Sequence, residues 1–161
     1  MSEKLLLRID QYLDWNSLRE DVICLESGLQ MKKITRESVS EEKPTVRDTV
    51  LVHYQGQYMD GQEFDNSVEK NRPVSVKVST LNEGLMEGIQ YMNEGDAWEF
   101  YVHPKLGYGY EELDKLPGEV GIEANSVLIY SVKLFKIIRD GESEVDFDPN
   151  TLNMDKLFTN Y

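Results

Sequence analysis

With 161 residues, 40% of them hydrophobic and 29% charged, the chain carries enough apolar surface to close one core with extensions and too little for two independent domains. Its 30 acidic residues against 17 basic ones leave a net charge of −13, which repels phosphate backbones and excludes nucleic acid as a partner. The solitary Cys24 excludes an internal disulfide and reads as a small buried hydrophobe; the run Leu5-Leu6-Leu7, cut off by Arg8 and Asp10, is too short for a membrane span or a signal core, so a cytoplasmic protein with no membrane partner is expected.

From Lys4 to Leu25, the apolar residues Leu6, Ile9, Leu13 and then Leu18, Val22, Leu25 recur at three- and four-residue steps, which predicts two short helices. Ser17 with Glu20 has capping-box spacing for the start of the second, and Ser27-Gly28 is suited to end it. Trp15 reads as an anchor of the first helix. After Gly28 the segments 29–34, 49–54, 74–78, 97–102 and 126–137 are rich in β-branched and aromatic residues and predict an antiparallel sheet. Val74-Ser75-Val76-Lys77-Val78 alternates, as a strand with one buried face does, whereas the continuously apolar Val127-Leu128-Ile129-Tyr130 suits a central strand. Glu41-Glu42-Lys43-Pro44 and Asp60-Gly61 carry turn chemistry. Asn82 can cap a single amphipathic helix whose apolar face is Leu85, Ile89 and Met92. Trp98 reads as a packing residue of its strand and His53 as a hydrogen-bonded core residue. His53 and His103 lack ligand spacing, so neither a metal nor a cofactor is expected. Beyond Arg139 the sequence turns acidic and reads as a tail over 139–161.

Five motifs, in order, carry a resemblance. Val52-His53-Tyr54-Gln55-Gly56 followed by Asp60-Gly61-Gln62-Glu63-Phe64-Asp65-Asn66-Ser67 is similar to V-H-Y-x-G…D-G-x-x-F-D-S-S. Gly84-Leu85-Met86-Glu87-Gly88-Ile89 is similar to G-W-x-E-G/A-L/V, and Met92-Asn93-Glu94-Gly95-Asp96 to M-x-x-G-x. Pro104-Lys105-Leu106-Gly107-Tyr108-Gly109 is similar to P-x-x-A-Y-G, and the stretch from Ile122 to Tyr130 to I-P-P-N-A-T-L-V-F. Together they resemble the FKBP-type peptidyl-prolyl cis-trans isomerases.

The resemblance implies an α+β fold: a bent antiparallel sheet wrapped around one short helix, with a pocket between them. It divides the chain into a helical N-terminal extension at 1–27, an isomerase domain at 28–138 and the acidic tail at 139–161. It further implies a catalytic set of Tyr54, Phe64, Asp65 and Tyr108, the Tyr108 hydroxyl donating to a substrate carbonyl, and a substrate-binding set of Val74, Leu81, Asn82, Leu85, Ile122 and Tyr130. Implied partners are proline-containing protein segments, macrolides of the kind the family binds, and a second copy through the N-terminal extension, which dimerises in some bacterial members. The expected function is prolyl isomerisation that assists folding. The departures set an alternative beside it: a weakly active or inactive binding or chaperone module. Leu85 stands where the family pattern has tryptophan, Leu81-Asn82 where it has Val-Ile, Val74 where it has phenylalanine, and Glu123-Ala124 where it has Pro-Pro, while the loop from Tyr108 to Ile122 is longer.

Overall fold

The computed structural model describes residues 3–35, 40–66, 73–107 and 127–141. In chain order these form α1 (Glu3–Ser17), β1 (Val22–Cys24), β2 (Gln30–Thr35), β3 (Thr49–Tyr58), β4 (Glu63–Asn66), β5 (Val74–Lys77), α2 (Glu83–Ile89), β6 (Ala97–Val102) and β7 (Leu128–Ile138). The strands make one antiparallel sheet in the order β1-β2-β6-β7-β3-β4, with β5 also paired to β3.

The long strands β3 and β7 pair from Thr49 opposite Ile138 to Tyr58 opposite Leu128. The other edge of β3 is shared: β5 takes Thr49–Val52 and β4 takes Gln55–Gln57. Register shifts at Gly56/Gln57, Leu51/Val52 and Lys33/Thr35 mark bulges, which bend a strand and increase its twist. The sheet can therefore close over a helix as short as α2.

Period-two alternation gives the sheet two apolar faces. On β6, Trp98, Phe100 and Val102 pack with Leu85 and Ile89 of α2, together with Leu29, Met31, Val50, Val52, Leu128, Tyr130 and Leu134. The intervening Tyr101 faces the other way, into a smaller cluster with Ile9 and Leu13 of α1 and with Val127 and Ile129.

Buried polar groups fasten α1 to this second face. Asn16, wholly buried, donates to the Gln30 side chain at 2.8 Å, and Gln30 donates to the Leu13 carbonyl at 3.0 Å. Arg19 donates to Asn16 at 2.9 Å and to the Tyr101 hydroxyl at 3.2 Å; that hydroxyl in turn donates to Glu99. Burial, reinforced by Glu99, holds the Tyr101 phenol far above the usual range, so it stays a neutral donor.

The N-terminal region departs from expectation. One helix forms, not two, and Val22-Ile23-Cys24 is an edge strand opposite Lys32, Met31 and Gln30. The spacing of Leu18, Val22 and Leu25 fits a helix, yet Val22 and Ile23 are β-branched, and an available sheet edge outweighs a weak local preference. Leu18 is 84% exposed, so the supposed helical face buries nothing there. Ser17 closes α1 by donating to the Asp14 carbonyl at 2.7 Å and caps no second helix. Gly28 (φ 99°) turns β1 into β2, with Leu25 N–H on the Leu29 carbonyl at 2.9 Å. Cys24 is exposed, as an outward residue of an edge strand must be. Trp15 is 57% exposed and anchors nothing in the core; the Arg19 guanidinium lies over its ring at 5.4 Å.

The expected strands otherwise form, and α2 is capped by Asn82, whose side chain accepts from Leu85 N–H at 2.9 Å. Asp60-Gly61 turns β3 into β4, with Gly61 at φ 92° and Gln62 N–H on the Asp60 carboxylate at 2.9 Å.

His53 is wholly buried in β3, edge-on to Phe135 at 5.5 Å, and burial pushes its pKa below the ordinary 6.5. A depressed imidazole contributes stability that is complete above pH 6.5 and is lost as pH falls below that value towards the folded pKa, because the unfolded chain takes the proton first. Melting curves between pH 7.5 and 5 should show a steeper decline for the native chain than for His53→Gln; parallel declines would remove His53 as the cause. His103 is depressed in the same direction, so the comparison rests on the difference between the two proteins.

Candidate active site

Five elements bring apolar side chains together beside the N-terminal end of α2. Tyr54 comes from β3, Phe64 from β4, Val74 from β5 and Tyr130 from β7, while Leu81 and Leu85 belong to the approach to α2 and its first turn. Leu85 and Tyr130 are buried in the main core, and Tyr54, Phe64, Val74 and Leu81 pack against that core while keeping part of their surface open.

Sheet register explains the convergence. Tyr54 pairs with Val132, and two residues on, Gly56 pairs with Tyr130 and with Asp65 of β4. Because side chains two apart share a face, Tyr54, Gly56 and Tyr58 line up along β3. Gly56 has no side chain, and the Phe64 ring occupies the vacancy: a Cβ built on Gly56 would lie 2.5 Å from Cζ and 2.7 Å from Cε2 of Phe64.

Phe64 is thereby held between two tyrosines. Its ring meets Tyr130 edge-on, centroids 5.6 Å apart at 88°, and Tyr58 at 4.9 Å and 37°. Such pairs each contribute about 0.5–1.5 kcal/mol beyond their buried area. Tyr58, 3% exposed, was absent from the expected set, although the period-two step from Tyr54 pointed to it. Asn82 joins the same wall: besides capping α2, its Nδ2 donates to the Tyr130 hydroxyl at 3.4 Å.

Seven of the ten expected residues thus fall together: Tyr54, Phe64, Val74, Leu81, Asn82, Leu85 and Tyr130. Asp65 is placed by its backbone on β4 opposite Gly56, and its side chain lies outside the described residues, as do Tyr108 and Ile122. Among the described residues the wall is aromatic and aliphatic with a few polar atoms, the Asn82 carboxamide and the tyrosine hydroxyls, an arrangement suited to an apolar ligand fixed by a few polar contacts.

A separate open cleft of about 320 Å³ lies between α1 and the β3–β4 turn, lined by Arg8, Gln11, Tyr12, Trp15, Met59 and Asp60. Leu7, Trp15 and Leu18 add exposed apolar surface on the α1 side of the molecule.

Comparison with known proteins places this geometry. Residues 40–135 match the family model for FKBP-type peptidyl-prolyl cis-trans isomerase. The chain is 34% identical over 128 residues to an FKBP-type peptidyl-prolyl cis-trans isomerase FkpA of Aeromonas hydrophila, covering 80% of this chain and 45% of that protein. It is 32% identical over 126 residues to the peptidyl-prolyl cis-trans isomerase Mip of Coxiella burnetii, covering 78% and 52%. The crystal structure of FkpA from Escherichia coli superposes with a TM-score of 0.72 at 28% identity, covering 83% of this chain and 59% of that one. A peptidyl-prolyl cis-trans isomerase structure from Pseudomonas syringae, at 23% identity, shares the fold with a TM-score of 0.74. The chain spans about half the length of the curated relatives it matches. With the family's sheet and helix present and its family model matched over residues 40–135, the chain belongs to the FKBP-type peptidyl-prolyl cis-trans isomerase family.

Proposed function

We propose that this chain is a peptidyl-prolyl cis-trans isomerase acting on proline-containing segments of other proteins. The observation that carries the reading is the Tyr58–Phe64–Tyr130 aromatic stack beside Tyr54 and the start of α2, in a chain of this family.

Rotation about an X–Pro bond is opposed by about 18–20 kcal/mol because amide resonance is lost at the twisted midpoint. No bond is broken, so a catalyst need only bind the twisted amide more tightly than the planar one. The planar amide is the more charge-separated form and is favoured by water. An apolar groove excludes that water, and the twisted form gains relative to the planar one. Phe64, Tyr54, Val74 and Leu85 supply such surroundings here. By family resemblance Tyr108 donates to a substrate carbonyl, the Asp65 carboxylate stands beside Tyr54, and Ile122 adds to the wall. Leu85 in place of tryptophan and Val74 in place of phenylalanine leave less apolar surface and a wider pocket, which weakens grip on the proline ring.

Acceleration of cis-to-trans conversion in Leu-Pro and Phe-Pro peptides tests the reading, with a macrolide of the kind the family binds as competitor. Phe64→Ala should lower kcat/KM at least tenfold, since truncating a packed phenylalanine forfeits about 3–5 kcal/mol of packing. A folded sample that binds these peptides without accelerating them would replace the enzyme reading with that of a binding module.

A second reading concerns assembly. The exposed Leu7, Trp15 and Leu18, beside the cleft at Tyr12 and Met59, support a homodimer formed through the N-terminal extension. Sedimentation should then show a dimer that Trp15→Ser with Leu18→Ser converts to a monomer; a monomeric native chain at micromolar concentration would rule it out.

A further inference from the structure

Among the described residues, Asn82 brings a carboxamide to the apolar surroundings of Leu85 and Tyr130, and its orientation is determined at both ends. Oδ1 accepts from Leu85 N–H at 2.9 Å, and Nδ2 donates to the Tyr130 hydroxyl at 3.4 Å. Exchanging the two atoms would set N–H against N–H at the helix start, so the partners assign the amide unambiguously. A primary carboxamide has two N–H donors, of which the Tyr130 hydroxyl takes one. The second makes no hydrogen bond among the described residues, and Asn82 is only partly buried.

We propose that Asn82 determines substrate specificity: its second N–H is offered to the groove and favours a residue beside the proline that carries a neutral hydrogen-bond acceptor, glutamine above all, over an aliphatic one. This rests on the isomerase reading of the same groove and deepens it. A site that supplies a donor discriminates by what happens to that donor. A leucine side chain laid over it removes water and returns no hydrogen bond, whereas a glutamine Oε1 replaces the water. A glutamate would also accept, but Glu83 stands exposed next to Asn82 and the chain as a whole carries −13, so like charge works against a carboxylate. Tyr130 acts through Asn82 here, holding the amide plane by its hydroxyl. The motif pattern of this family has isoleucine at the position of Asn82 and phenylalanine at that of Tyr130, so both members of the polar pair are departures, and the structure shows them in contact.

The experiment compares peptides that differ only before proline, Leu-Pro, Gln-Pro and Glu-Pro, for the full chain and for Asn82→Ser, Asn82→Asp and Tyr130→Phe. Both kcat/KM and Kd from titration are read. Serine and aspartate retain an oxygen to cap α2 and lose the amide donors. The ratio of Gln-Pro to Leu-Pro should fall about three- to tenfold in both, the scale of one partly solvated hydrogen bond. It should fall less in Tyr130→Phe, where the cap is untouched. An unchanged ratio in Asn82→Ser and Asn82→Asp overturns the proposal, as does a native preference for Glu-Pro over Gln-Pro. If the native chain accelerates no peptide, the isomerase reading fails while the Kd ratios still decide the role of Asn82. Should the Asn82 variants not fold, Tyr130→Phe decides, an unchanged ratio counting against the proposal.

Discussion

Gly56→Ala is expected to lower kcat/KM for X–Pro peptides by about 10- to 100-fold, on the scale of a catalytic geometry displaced by about 1 Å. The methyl group would enter the Phe64 ring, 3.2 Å from Cε1 and only 2.5 Å from Cζ and 2.7 Å from Cε2, the last two closer than real Cβ contacts come. β3 cannot yield, because Gly56 is paired on both edges, to Tyr130 and to Asp65. The ring must therefore move, and it can do so only by leaving its edge-on contact with Tyr130 or its contact with Tyr58. Overpacking of this kind costs about 1–3 kcal/mol, so the variant should remain folded with a lowered Tm. Adding Phe64→Leu to Gly56→Ala should recover much of the Tm and none of the activity, because leucine relieves the clash without restoring the aromatic wall. Native-level activity in folded Gly56→Ala would show that the position of Phe64 does not matter to the chemistry.

Gly88→Ala should destabilise the fold by about 1–3 kcal/mol, although helix propensity alone predicts the opposite sign. Alanine is better than glycine inside a helix by about 0.8–1.0 kcal/mol. Against that gain, a Cβ at Gly88 would lie 2.5 Å from Cε1 and 2.7 Å from Cδ1 of Phe100, with Leu29 Cδ2 at 3.1 Å. Phe100 and Leu29 are wholly buried, so neither can swing into solvent. The overpacking term is the larger, and α2 must lift from the sheet. Since α2 also carries Leu85 and begins at Asn82, weakened peptide binding should accompany the loss of stability. Denaturant titration checks the sign: a Gly88→Ala chain more stable than the native one would show that α2 has slack against β6.

These two glycines also show how the sequence and the fold divide the information. Gly56 and Gly88 stand in family motifs, which ask for glycine at the first and for glycine or alanine at the second without saying what fills the space. Phe64 and Phe100 fill it, the first from the partner strand of the β3–β4 hairpin and the second from β6 beneath α2.

Features that depend on near neighbours were legible from the residues alone. The alternation of Val74 to Lys77, the apolar run at Val127–Tyr130 and the Asn82 cap of α2 are set by side chains within a few positions, so local spacing suffices. The same holds for the turn at Asp60-Gly61, where a side-chain oxygen and a positive φ are local matters. Seven of the expected residues pack together around the start of α2, and they could be singled out together because the patterns they were read from are short and ordered.

The tertiary structure decided what local spacing leaves degenerate. Leu18, Val22 and Leu25 satisfy a helical period, yet Val22–Cys24 is a strand, since the free edge of β2 supplies hydrogen bonds that no isolated three-residue segment can make for itself. Trp15 and Cys24 carry apolar side chains and lie exposed, because α1 turns Ile9, Leu13 and Asn16 inward and β1 is an edge. Tyr58 enters the aromatic stack through the β3–β4 hairpin, and β4 itself gains its place only by pairing beside Gly56. The contact between Asn82 and Tyr130 joins residues 48 positions apart. A chain can specify the type of each residue along its length, but which of them meet is set by strand register and by which face of α2 is buried, and both depend on the whole sheet having closed.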